Sequence, residues 1–138
     1  MGLLSLWAVL LLASPAPATT VGHGLSVRVP PGWHVLDRRL TPCTNPVERV
    51  DLVGNGALVM VQEALDHAYV DRFPVRPTHF RVHGAASWMA CCTVRRRGWR
   101  VDFRDSGRSF YAYVYPGRRG SLREALTLLD SLRVAPSP

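Results

Sequence analysis

The chain has 138 residues, 47% of them apolar, and its 17 arginines (there is no lysine) outweigh 10 acidic residues to leave a formal net charge of +7. This length suits one domain, and the apolar content excludes a chain too polar to bury a core. A basic balance predicts attraction to anionic surfaces such as phospholipid, acidic wall polymer or nucleic acid, without choosing among them.

Near its start the chain carries an apolar run, Leu3 to Ala13, interrupted only by Ser5. It is shorter than the roughly 20 residues a membrane span needs. Ala16-Pro17-Ala18 follows as a small-x-small cleavage signal, so residues 1–18 are expected to be a signal peptide. An uncleaved N-terminal anchor is the rival reading. No long apolar segment follows, so the expected domain, residues 19–134, carries no transmembrane segment. Residues 135–138 are expected to be a disordered tail.

His23 is expected in a flexible start. Leu25, Val27 and Val29 alternate with Ser26 and Arg28, which predicts a strand. Pro30-Pro31-Gly32 breaks it, and Trp33 to Leu36 begins a second short extended segment. The polar run from Asp37 to Pro46 reads as loop. Val47–Val53 and Ala57–Ala64 form the arms of a hairpin, with Gly54-Asn55-Gly56 as a positive-φ turn. Pro74 and Pro77 stop any ladder or long helix around them. Thr78 to His83 is expected to be a strand with Phe80 and Val82 inward. Gly84 to Cys92 reads as loop or a short helical turn.

Residues 98–115 carry the clearest pattern. Trp99, Val101 and Phe103 alternate with Arg100, Asp102 and Arg104, and Ser106-Gly107 makes a two-residue turn. Pairing across that turn sets Phe103 against Phe110 and Trp99 against Val114 on an apolar inner face. The outer face sets Asp102 against Tyr111 and Arg100 against Tyr113. Ser121 then caps a helix, with Glu124 completing a Ser-x-x-Glu box. Leu122, Ala125, Leu126, Leu129 and Leu132 form one apolar stripe that should lie on the inner face of the sheet. The fold class is α+β: an antiparallel sheet packed by a C-terminal amphipathic helix.

Val29-Pro30-Pro31-Gly32-Trp33 near the start and Leu126 to Val134 at the end resemble the α/β/α sandwich superfamily of the PsbP and Mog1 proteins. The chain is closer in appearance to small exported actinobacterial proteins. The resemblance implies a PsbP/Mog1-like fold and a binding or assembly role, and it carries over no site residue.

Cys43, Cys91 and Cys92 stand in an expected oxidising compartment. A disulfide from Cys43 to either Cys91 or Cys92 is expected, which would stabilise by about 2–4 kcal/mol. A vicinal Cys91–Cys92 bridge is the other arrangement. Cys-x-x-Cys spacing is absent, and His79, His83 and the cysteines fit no zinc spacing. No metal and no cofactor are therefore expected. No serine sits in a nucleophile elbow, and charge pairing accounts for Asp102 and Asp105. The outer face of the last hairpin, Arg100, Arg104, Tyr111, Tyr113 and Tyr115, is the candidate binding surface, and Arg95 to Arg97 lead into it. Arginine offers planar bidentate donors and tyrosine flat amphipathic area. The expected function is a secreted or envelope-associated, non-catalytic accessory protein engaging a protein or an anionic envelope component. Export sets intracellular nucleic acid aside. The alternative is a small disulfide-containing secreted hydrolase, which would need Asp102, a histidine and a serine together in a pocket.

Overall fold

The structure, a computed structural model, describes residues 17–36, 49–64, 71–91 and 94–136. Within them the 98–115 segment folds back on itself as its alternation predicts. β7 (Val94–Asp105) and β8 (Arg108–Tyr115) pair antiparallel, with Phe103 opposite Phe110 and Trp99 opposite Val114. Ser106 (φ 53°) and Gly107 (φ 74°) make the turn. Positive φ at both central residues suits the right-handed twist of the arms.

The same device closes two other hairpins. Asn55 (φ 50°) and Gly56 (φ 80°) join β4 (Arg49–Gly54) to β5 (Ala57–Glu63). His23 (φ 54°) and Gly24 (φ 68°) join β1 (Thr19–Gly22) to β2 (Leu25–Val27). His23 is therefore a turn residue of an N-terminal hairpin, not part of a flexible start. β3 (Trp33–Leu36), β6 (Ser87–Cys91), helix α1 (Leu122–Asp130) and β9 (Arg133–Val134) complete the elements.

Two sheets result. One has the order β3-β4-β5-β8-β7-β6 and the other β1-β2-β9. All their strand pairings are antiparallel. The alternating residues Val59, Val61, Phe110, Ala112, Val114 and Phe103 face one way and meet Ala125, Leu128 and Leu129 of α1. Leu25 and Val27 of the small sheet join the same core. Phe103 stacks on Phe110 at 5.2 Å and meets Phe80 edge-on at 5.1 Å. The α+β architecture thus follows from one apolar face of the large sheet, covered by one helix and a short sheet.

Helix α1 starts where its cap predicts. The Ser121 hydroxyl accepts from the Glu124 N–H at 3.2 Å, a bond that stabilises a helix by about 1 kcal/mol. The Glu124 carboxylate does not close the box. It accepts from the Asn55 side-chain amide at 2.9 Å and so ties the β4–β5 turn to the helix start.

Four expectations change. Thr78 to His83 is not a strand. The Phe80 N–H donates to the Asp130 Oδ1 at 2.7 Å in place of a ladder bond, while its ring is buried. Ser87–Cys91 is a strand, paired with Val94–Gly98 of β7. The end of the chain is not frayed at Val134, since β9 pairs with β2 and the Ala135 N–H donates to the Gly24 carbonyl at 2.8 Å.

The disulfide is the fourth. No disulfide bond stands among the described residues. Cys91 ends β6, and Cys43 and Cys92 lie outside the described residues. The expected signal peptide also lies outside the described residues, apart from Pro17 and Ala18.

Candidate functional site: an arginine-rich hairpin and its cleft

The expected Arg–Tyr face is on the side of the large sheet away from α1, but most of its charge is internally used. Arg100 Nε lies 2.9 Å from Asp102 Oδ1, and its Nη2 donates to Oδ2 at 3.1 Å. Its guanidinium sits 5.1 Å from the centre of the Tyr111 ring. Arg104 Nη1 lies 3.7 Å from Asp71. The segment around Pro74 runs beside β7 at this point. The Arg104 N–H donates to the Pro74 carbonyl at 2.8 Å, and the Arg76 N–H to the Arg104 carbonyl at 3.0 Å. Phe73 packs on Tyr111 at 5.1 Å.

The tyrosines divide by depth. Tyr115 is fully buried with Leu58 and Met60 in a second small cluster, against which Met89 of β6 packs. It is not available to a ligand. Tyr113 stacks on it at 6.3 Å and remains partly exposed, as does Tyr111. The candidate face therefore reduces to Arg100, Arg104, Tyr111 and Tyr113.

The free charge lies one hairpin further on. β7 is long enough to change partners. Its first half pairs with β6, and from Trp99 onward it pairs with β8. Gly98 stands at the change. A Cβ there would lie 2.2 Å from the Val114 carbonyl oxygen, so only glycine admits this approach. Beyond Gly98 the strand carries Arg95, Arg96 and Arg97, all exposed. Alternation places Arg95 and Arg97 on one face, with Trp88 directly opposite Arg97. Trp88 is 65% exposed, and the Arg95 guanidinium lies 5.7 Å from the centre of its ring.

This face looks into a cleft of about 710 Å³. It is lined by Ala86, Trp88 and Arg95 to Arg97 from the hairpin and by Gly56, Pro116, Gly117 and Arg118 from two other segments. Among the described residues four arginines line it and no carboxylate does. Arg97 donates to the Ala86 carbonyl at 3.0 Å. Among the described residues no acidic side chain comes within ion-pair distance of Arg95, Arg96, Arg97 or Arg118.

No family model, no curated protein and no solved structure matches the chain.

The constellation a hydrolase would need does not gather around Asp102, whose carboxylate is engaged by Arg100. The nearest approach to one is in a different groove. There His79 Nδ1 lies 3.1 Å from Asp130 Oδ2, with Ser131 nearby. The Ser131 hydroxyl donates to the Leu128 carbonyl at 2.7 Å and accepts from the Arg28 N–H at 3.0 Å. It serves as a helix-end bond and a tie to the chain after β2. Among the described residues no group of three His, Cys, Asp or Glu side chains could hold a metal ion, and no helix is long and apolar enough to cross a membrane.

Sequence reasoning found Arg95 to Arg97 only as a lead-in to the Arg–Tyr face, and it missed Trp88 and Arg118. Strand β6 was hidden because the sequence that follows it, Cys92-Thr93, has neither glycine nor asparagine to signal a hairpin. The alternation Trp88, Ala90 against Arg95, Arg97 is the signal that could have exposed it.

Proposed function

We propose that the protein is a non-catalytic, extracytoplasmic binding domain with a PsbP/Mog1-like arrangement, and that it engages an anionic component of the cell envelope. One observation carries this reading: four arginines line a cleft to which, among the described residues, no carboxylate contributes. Cations held together without counter-charges repel one another, and a polyanion relieves that repulsion while gaining bidentate hydrogen bonds. Arg100 and Arg104, each already beside an aspartate, add reach to this surface more than charge.

The test is retention of the purified chain on sulfated and carboxylated matrices at rising salt. Arg95→Ala/Arg96→Ala/Arg97→Ala is expected to elute at much lower salt than wild type. Arg100→Ala/Arg104→Ala is expected to shift little, because it removes two paired charges. Elution of the hairpin variant together with wild type would remove the basis of the proposal.

A further inference from the structure

We infer that the cleft between the β6–β7 hairpin and the Pro116–Arg118 segment binds an acidic polysaccharide. A sugar ring stacks on Trp88, and its carboxylate or sulfate groups are held by Arg95, Arg97 and Arg118. This rests on the anionic-partner reading above and adds the ligand class and the place.

Three features of the cleft select that class. The first is Trp88. It is 65% exposed and lines the cleft, and it offers a flat surface of the kind that covers the apolar face of a pyranose ring. Arg95 lies against it at 5.7 Å, which sets a cation beside the stacking position. The second is the charge. Arg118, from the chain after β8, lines the same cleft as Trp88, Arg95 and Arg97, so the anionic groups of a stacked ring meet guanidinium groups from two segments of the chain. The third is shape. A volume of about 710 Å³ is within the range that encloses small ligands or a few linked rings.

The same features disfavour the other polyanions. A bilayer is met by a protruding apolar tip, with aromatic residues at headgroup level, whereas Trp88 and its arginines line a concavity. Single-stranded nucleic acid is held by successive aromatic platforms along a groove, and this cleft has one aromatic ring. An aliphatic peptide would need more apolar lining than Trp88 and Pro116 provide.

The experiment compares four probes by calorimetry on the purified chain: an oligogalacturonate, a sulfated heparin oligosaccharide, oligo(dT), and phosphatidylglycerol vesicles. At least one of the two glycans is expected to bind more tightly than oligo(dT) and the vesicles. Trp88→Ala is expected to weaken glycan binding about tenfold, the scale of one lost stacking contact. Arg118→Ala, in the other segment lining the cleft, is expected to weaken it separately. Tighter binding of oligo(dT) or vesicles than of both glycans overturns the polysaccharide assignment and leaves the anionic-partner reading standing. Glycan binding unchanged in both variants overturns the cleft as its site. Binding of none of the four probes overturns both readings.

Discussion

Phe103→Ala is expected to destabilise the domain by about 3–5 kcal/mol, a large part of the about 5–15 kcal/mol that holds a small domain folded. Phe103 is fully buried where three aromatic rings meet, between Phe80 at 5.1 Å and Phe110 at 5.2 Å. Its removal loses the transfer energy of the ring and leaves a cavity that rigid strands cannot close. It also frees Phe80, whose segment has no ladder of its own and is held by the Phe80 N–H bond to Asp130. Urea unfolding monitored by circular dichroism measures the effect. A loss under about 1 kcal/mol would mean that the ring is not in a close-packed core.

Arg108→Ala is expected to cost a similar amount, about 3–5 kcal/mol, by a different route. Arg108 is 5% exposed and its partner Glu63 12%. Nε donates to Glu63 Oε1 at 2.8 Å, Nη1 to the Ala135 carbonyl at 3.1 Å, and Nη2 to the His23 carbonyl at 2.9 Å. One side chain thus joins the large sheet to the β1–β2 turn and to the residue that follows β9. Truncating it leaves the Glu63 carboxylate buried without this charge partner and two carbonyls without these donors. The pair itself is not expected to be a large net source of stability, since desolvating two charges offsets much of their attraction. The double variant Arg108→Met/Glu63→Leu should therefore recover most of the loss. Amide hydrogen exchange supplies the second readout. In Arg108→Ala, protection at Leu25, Ser26 and Ala135 should fall more than protection in β5 or β8. Uniform loss across all strands would show that Arg108 does not specifically clamp the small sheet.

The β7–β8 hairpin and α1 were legible because their signals are local. Ser106-Gly107 marks a turn, period-2 alternation flanks it, and Ser121 with its leucine stripe marks a helix. β1 was hidden because Thr19-Thr20-Val21-Gly22 is short and polar, although His23-Gly24 carries the same turn chemistry as Asn55-Gly56. β9 is two residues long and exists only through its pairing with β2. No local pattern can announce such a strand. Phe80 shows the reverse case: its inward position was legible, but its backbone is held by a helix-end carboxylate instead of a strand.

The candidate site was legible as composition and not as geometry. The sequence shows arginines beside tyrosines, but the partners that neutralise Arg100 and Arg104 depend on which carboxylates the fold brings near. Asp102 is two positions along the same strand and so on the same face. Asp71 arrives only because the chain around Pro74 runs along β7. Burial of Tyr115 likewise needs the second cluster, with Leu58 and Met60 from the neighbouring strand. The cleft is tertiary in the same sense. Arg118 follows β8, and it shares a cleft with Trp88 because β7 changes partner from β8 to β6 at Gly98.

The central claim is that the unpaired arginines of the β6–β7 hairpin bind a polyanion. Its most direct test is the salt dependence of heparin-oligosaccharide binding, measured for wild type and for Arg95→Ala/Arg97→Ala. Each arginine that contacts an anionic group releases counterions, so the slope of log affinity against log salt should become shallower by up to about one for each arginine removed. A shallower slope with weaker binding is the predicted result. Equal slopes and equal affinities for the two proteins would contradict the account.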